Sequence, residues 1–291
     1  MKWNEKIIEK LLGFCALITI LTTVGIILVL LIQAVSFFQE VSIVDFLTGT
    51  QWTPLFAEKH FGILPLLSGT ILTTFIAIAV AIPLGLTIAV FLNEYAHHKF
   101  RQIVKPMLEI LAVVPTVVYG FFALMIVTPF LKTFIPHLSG FNALSPGLVM
   151  GIMIIPFVSS LSEDALNAVP NSLRKASYGM GSTRLQTAFR VTVPAASSGI
   201  IISVILAFSR AIGETMIVTI AAGQQPNLTF DPTVPIETIT AYIVQVSMGD
   251  APHGTIAYKT IFAAGITLFV FTFILNNISY WIREKYQQKY E

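Results

Sequence analysis

The 291-residue chain is 55% apolar and only 11% charged, with 22 phenylalanines and a formal net charge of +2. A soluble domain carries about a quarter charged residues, and a nucleic-acid binder shows a basic stripe. Neither fits this chain, which is an integral membrane protein surrounded by lipid and has no nucleic-acid partner.

Runs without Asp, Glu, Lys or Arg cover 11–39, 61–93, 110–131, 133–162, 191–209 and 260–282. Crossing the hydrocarbon core takes about 20 helical residues. The expected fold is therefore all-α, a polytopic bundle of about six transmembrane helices near 11–35, 64–92, 108–131, 145–161, 195–222 and 260–282. The first run follows Lys2, Lys6 and Lys10. It exceeds a signal-peptide core and lacks a small-residue cleavage site, so it reads as an anchor. The single cysteine, Cys15, lies within it, which precludes an intrachain disulfide. Residues 1–60 form the N-terminal transmembrane helix and first extracytoplasmic loop, and 61–291 the remaining core. No internal repeat and no appended soluble domain are expected.

Thirteen of the seventeen basic residues fall on one side. They lie at the amino end, in the second connection (Lys99, Arg101, Lys105), in the fourth (Arg174, Lys175, Arg184, Arg190) and in the tail (Arg283, Lys285, Lys289). The alternate connections hold only Lys59 and Lys132. Basic residues near helix ends are retained in the cytoplasm, so both termini are predicted to be cytoplasmic in a multi-pass inner (plasma) membrane protein. The third outward connection, about 223–257, carries Asp231, Glu237 and Asp250, with a short interfacial or re-entrant helix at Ile239–Met248.

In the second span Gly69, Thr73, Ala77, Ala81, Gly85 and Ala89 recur every four residues. Such a stripe lets a neighbouring helix approach closely, or it lines a pore; packing is the simpler expectation. Pro83, Pro115, Pro129 and Pro156 remove backbone donors within or near spans, which is tolerated where protein covers the freed carbonyls. His97 and His98 lack companion ligands and read as interfacial, so no metal site is expected. Glu109 is expected to pair with Lys105 at i, i+4.

The loop at 163–194 is the longest predicted inward connection. Pro170 suits a first helical turn, Gly181 a helix stop, and Ser182 a cap for the following helix. Tyr178, Met180, Leu185 and Phe189 then present apolar surface rimmed by Arg174, Arg184 and Arg190. That combination serves as a protein docking surface or as an amphipathic pair on lipid headgroups. The order Lys175-Ala176-Ser177, three residues, Gly181, nine residues, then Val191-Thr192-Val193-Pro194 resembles EAA-x3-G-x9-I-x-L-P. That pattern belongs to the membrane subunits of binding-protein-dependent ABC importers. Lys175 stands where the pattern has an acid, and Ser177 where it has an alanine. The resemblance implies that Lys175, Ala176, Ser177, Gly181, Ser182 and Pro194 couple this chain to a cytoplasmic ATPase.

In the fifth span Arg210 and Glu214 are spaced i, i+4 and are expected to share a helix face. A charge at membrane depth costs roughly 3 kcal/mol unless paired or wetted. The pair is either an internal salt bridge that fixes helix orientation or part of an anion path, for which the arginine fork is suited. The string Ser209-Arg210-Ala211-Ile212-Gly213-Glu214-Thr215-Met216 resembles phosphate-transporter permeases. Asn93-Glu94-Tyr95-Ala96 and 114–120 also fit phosphate permeases, and 240–250 is similar to the PstC type of that family. The resemblance implies a permease core at 61–291 and roles for Arg210 and Glu214 in phosphate translocation. It also implies a PstA-like second permease, two PstB-like ATPases and an extracytoplasmic phosphate-binding protein. The chain itself would bind no cofactor, ATP and Mg²⁺ being used by the ATPase. No phosphate-cradling Gly-x4-Gly-Lys-Ser/Thr string, nucleophile elbow or zinc-protease helix occurs, so this chain is expected not to be an enzyme.

Overall fold

The computed structural model describes residues 2–249 and 251–286; the predictions that involve Asp250 and Lys289 lie outside the described residues. Helices dominate, and no strand occurs among the described residues. In chain order they are α1 (Lys2–Phe38), α2 (Ile43–Thr48), α3 (Leu64–Val90), α4 (His98–Val113), α5 (Thr116–Phe122), α6 (Thr128–Lys132) and α7 (Leu144–Asn167). They continue as α8 (Asn171–Gly179), α9 (Arg184–Thr187), α10 (Val193–Ala195), α11 (Ser197–Ile212), α12 (Met216–Ala221), α13 (Ile239–Met248) and α14 (Ile256–Tyr286). Single π-helical turns extend α3 at Phe91–Tyr95, join α5 to α6 at Ala123–Val127, and join α9 to α10 at Ala188–Thr192.

The centre is α3 packed along α7, with α11 against both. The four-residue stripe explains that contact, because all six of its residues are buried. A Cβ on Gly85 would stand 2.8 Å from Val158, and one on Gly151 would stand 2.8 Å from the Ala77 carbonyl oxygen. The stripe is a packing seam, since without a hydrophobic drive between helices close backbone approach supplies the attraction. Around it, α4 and α5 flank α7, and α12 rests on α5. The long helix α1 runs beside α14, and from Ile7 onward nearly all its side chains point outward, as lipid requires.

Two expected spans are interrupted. The segment expected to cross at 108–131 turns by 85° between Lys99–Val113 and Thr116–Lys132. Pro115 causes the break: its ring holds Val114 at φ −58°, ψ 129°, outside the helical region. The segment expected at 195–222 is likewise not one helix. Arg184–Ala195 meets Ser197–Ile212 at 72°, and α11 stops at Ile212 with α12 restarting at Met216. Among the described residues four helices are long and apolar enough to cross a membrane, and the count reaches six when each bent pair is one span.

The two ends of the bundle differ. The end of α3, the start of α4, the end of α7 and α8–α9 gather the basic side chains Arg101, Lys105 and Arg174, and this is called the basic end below. At the opposite end Phe37, Phe46, Trp52 and Tyr242 stack edge to face, with centroids 5.7, 6.1 and 5.0 Å apart along the series. The Tyr242 and Thr260 hydroxyls are 2.5 Å apart, and Lys259 Nζ is 2.5 Å from Glu40 Oε1. Residues 37–63 therefore share a core with α13 and α14.

Candidate functional site

The basic-end loop folds as a helical hairpin. Pro170 stands at the N-cap of α8, one residue before its first turn. Gly181 closes α8 at φ +83°, a left-handed conformation that L side chains resist. Its N–H donates to Tyr178 O at 2.9 Å, and the Ser182 N–H donates to Ser177 O at 3.2 Å. Those two bonds are the Schellman pair that satisfies the last carbonyls of a helix. The cap on α9 is Thr183, not the expected Ser182. Thr183 Oγ1 accepts from Gln186 N at 3.3 Å, and Gln186 Oε1 accepts from Thr183 N at 2.9 Å. Ser182 is the last residue of the Schellman turn and lies one residue too early to cap a helix that begins at Arg184.

Side chains on this hairpin divide cleanly. Lys175, Ala176 and Pro194 are exposed, whereas the Ser177 hydroxyl faces inward, 2.9 Å from Thr187 Oγ1. Met180 is 87% exposed, and Tyr178 also stands clear of the bundle. Leu185 and Phe189, also exposed, border an apolar cavity of about 310 Å³ with Val90, Phe91, Tyr95 and Ile200. Arg174 is not a rim charge. Its guanidinium turns inward, with Nε 3.2 Å from Glu94 Oε1, Nη2 3.0 Å from Asn93 Oδ1 and 2.7 Å from Leu166 O, and Nη1 3.2 Å from Val169 O. One side chain thus ties α8 to the ends of α3 and α7. A second tie joins α4 to α7: Arg101 pairs with the fully buried Glu163, and Lys105 reaches Glu163 at 3.3 Å and Asp164 at 3.0 Å. Lys105 is therefore not the partner of Glu109. Neither tie shows in the sequence, because both join residues about 60 to 80 positions apart.

The expected pairing of Arg210 with Glu214 is absent. The helix ends between them, so i, i+4 spacing no longer puts them on one face. Glu214 is 9% exposed and turns its carboxylate onto the chain ahead, where Oε1 accepts from Met216 N at 3.1 Å and Ile217 N at 3.4 Å. Its carbonyl accepts from Thr240 Oγ1 at 2.7 Å, which fastens the break to α13. Arg210 stays exposed on the last turn of α11 and enters none of the ion pairs or hydrogen bonds among the described residues. It lines a cavity of about 240 Å³ with Glu109, Met153, Pro156, Phe157 and Ser160. An unpaired guanidinium beside an apolar bundle supplies what an oxyanion lacks there, a planar fork of donors. No cluster of three or more His, Cys, Asp or Glu side chains able to hold a metal occurs among the described residues.

A family model described as "Binding-protein-dependent transport system inner membrane component" matches residues 81–288. The chain belongs to that family. Membership makes it a membrane subunit of an ABC importer, with substrate capture and ATP hydrolysis in separate subunits. It is similar to the probable ABC transporter permease protein YqgH of Bacillus subtilis, 34% identical over 262 residues, covering 89% of this chain and 84% of that protein. It is also similar to two proteins named phosphate transport system permease protein PstC. The Mesorhizobium japonicum protein is 34% identical, covering 81% of this chain and 76% of its own length. That of Haemophilus influenzae is 30% identical, covering 98% and 95%. Among solved structures, a bacterial alginate ABC transporter superposes with a TM-score of 0.64 at 17% identity over 95% of both chains. The MetNI methionine ABC transporter superposes with a TM-score of 0.56 at 16% identity, over 78% of this chain and 95% of its own. At those identities the likeness is one of fold.

Proposed function

We propose that this chain is the permease subunit through which an ATP-driven importer moves inorganic phosphate into the cytoplasm by alternating access. The observation that carries the reading is Arg210, a cation without an ion-pair partner among the described residues, lining a cavity with Met153, Pro156 and Phe157. Phosphate bears about one to two negative charges near neutral pH, and an uncompensated crossing of hydrocarbon is prohibitive. Arg210 offsets that charge. Its position on the last turn of α11 lets it do so without being buried in a salt bridge that an ion would have to break. Glu214 acts through position: its carboxylate caps the first turn of α12 and its N–H donates to Ala211 O at the end of α11, which holds the break next to Arg210.

The basic end faces the cytoplasm in this reading, with both termini, in keeping with the retention of Lys and Arg on that side. The α8–α9 hairpin docks on an ATPase. Tyr178 and Met180 form the apolar anchor, with Lys175, Ala176 and Pro194 at the contact. Gly181 and Ser182 hold the hairpin turn, and Ser177 holds its two helices together. The assembly comprises a PstA-like second permease, two PstB-like ATPases that use ATP and Mg²⁺, and an extracytoplasmic phosphate-binding protein. Relatives named PstC, matched over most of their length, support the choice of phosphate.

Labelled phosphate uptake in phosphate-starved cells lacking this gene tests the substrate, with sulfate uptake as the control. Loss of phosphate uptake alone, restored by the gene, is the expected result. Phosphate uptake that never depended on the gene would overturn the substrate assignment.

A further inference from the structure

Among the described residues Glu109 is the one acidic side chain on the wall of the Arg210 cavity. Its natural partner, Lys105 one turn earlier on α4, is committed to Glu163 and Asp164 at 3.3 and 3.0 Å. Glu109 itself enters no ion pair or hydrogen bond among the described residues. It also borders a second cavity, of about 350 Å³, whose other walls are Arg101, Gln102, Lys105 and Pro106. A free carboxylate therefore stands where the Arg210 cavity gives way to the basic end.

A carboxylate on an anion path is puzzling if charge is all that matters, because it repels what Arg210 attracts. It ceases to be so when the proton on the ligand is counted. Near neutral pH phosphate keeps at least one P–OH, which donates a hydrogen bond, whereas sulfate has no proton to give. A carboxylate is an acceptor only. Facing phosphate it gains a charge-assisted bond; facing sulfate it meets only negative oxygens, a repulsive element of the kind that sets specificity. We propose that Glu109 and Arg210 together form a station for a protonated tetrahedral oxyanion, Arg210 holding the charged oxygens and Glu109 accepting the P–OH. Ser160, on the same wall, has a hydroxyl suited to a remaining oxygen. The inference rests on the reading that Arg210 lies on the phosphate path. It adds that the permease itself, and not only the binding protein that feeds it, distinguishes phosphate from sulfate.

The test uses the assembled importer in proteoliposomes, with binding protein and labelled phosphate outside, ATP inside, and the lumen loaded with either phosphate or sulfate. In the wild type, lumenal phosphate slows uptake by refilling the station and lumenal sulfate does not. Glu109→Gln loses roughly tenfold or more of the uptake rate, and lumenal sulfate then slows the remainder as phosphate does. Glu109→Asp keeps sulfate without effect. Copurification of the ATPase reports assembly, and Glu109→Ala replaces the Gln variant if that fails to assemble. Wild-type uptake with sulfate still inert in either non-acidic variant, beside an inactive Arg210→Gln, overturns the role of Glu109 alone. Normal uptake by Arg210→Gln overturns the path reading beneath it.

Discussion

Arg174 and Glu94 lie 80 residues apart in sequence, yet Arg174 Nε stands 3.2 Å from Glu94 Oε1, with side-chain exposures of 15% and 4%. The pair joins the hairpin helix α8 to the end of the central helix α3, and the same guanidinium binds two carbonyls at the end of α7. The hairpin is thereby fastened to the two helices that form the core of the bundle. Removing one partner of a buried pair leaves the other uncompensated, at about 3 kcal/mol. Arg174→Ala is expected to lower the thermal unfolding midpoint of the purified complex and to leave ATP hydrolysis running without uptake. Arg174→Lys should not rescue it, because an ammonium cannot fork between a carboxylate and carbonyls. An Arg174→Ala importer with wild-type stability and coupling would remove this tie from the account.

Gly181 is constrained by backbone and not by space. Its φ is +83°, and no atom lies within 4 Å of where a Cβ would stand. Gly181→Ala is therefore expected to cost about 1 to 2 kcal/mol through conformation alone. Gly181→Val should cost more, since a β-branched side chain is stiffer in that region. The hairpin loses its turn, so less ATPase copurifies with the Val variant than with the Ala variant, and less with either than with wild type. Equal recovery of ATPase from all three would contradict this.

The seam between α3 and α7 makes a contrasting prediction. A Cβ on Gly85 would sit 2.8 Å from two atoms of Val158, whereas nothing lies within 4 Å of one on Gly25 in α1. Gly85→Val should overpack the seam by about 1 to 3 kcal/mol and reduce the yield of assembled protein. Gly25→Ala should leave yield and unfolding midpoint unchanged. Fluorescence-detected gel filtration of heated samples distinguishes them.

Glu237 precedes α13 in the connection at the opposite end, is 1% exposed, and has an Oε1 without a hydrogen-bond partner. Burial pushes its pKa up to about 8. The folded state then holds a proton that the unfolded chain releases at the usual carboxylate pKa of about 4.3. Fewer protons are bound on unfolding, so this group's contribution to stability falls as pH rises from the ordinary carboxylate range towards 8. The slope is at most about 1.4 kcal/mol per pH unit. Glu237→Gln should unfold at a higher temperature than wild type at pH 8, the two converging near pH 4. Parallel curves across that range would show that Glu237 does not titrate with folding.

Much of this architecture is visible in the residues themselves. Charge-free runs mark the membrane helices, the four-residue stripe marks the seam, and Gly181 marks the hairpin turn, because each signal is local. The breaks at Pro115 and at 213–215 are harder to see. A proline within an apolar run is compatible with a continuous helix, as Pro83 within α3 shows, and only the packing decides which outcome holds. The Arg210–Glu214 spacing misleads for the same reason: i, i+4 geometry applies only while the helix continues, and here it stops at Ile212. The true partners of Lys105 and Arg174 are on other helices, beyond the reach of any periodicity.

The most direct test of the central claim is labelled phosphate uptake by cells whose only copy of this gene encodes Arg210→Gln, with assembly of the importer verified by copurification of its ATPase. An assembled complex that transports no phosphate is the expected result. An assembled Arg210→Gln complex that takes up phosphate at the wild-type rate would contradict it and leave Arg210 a structural residue.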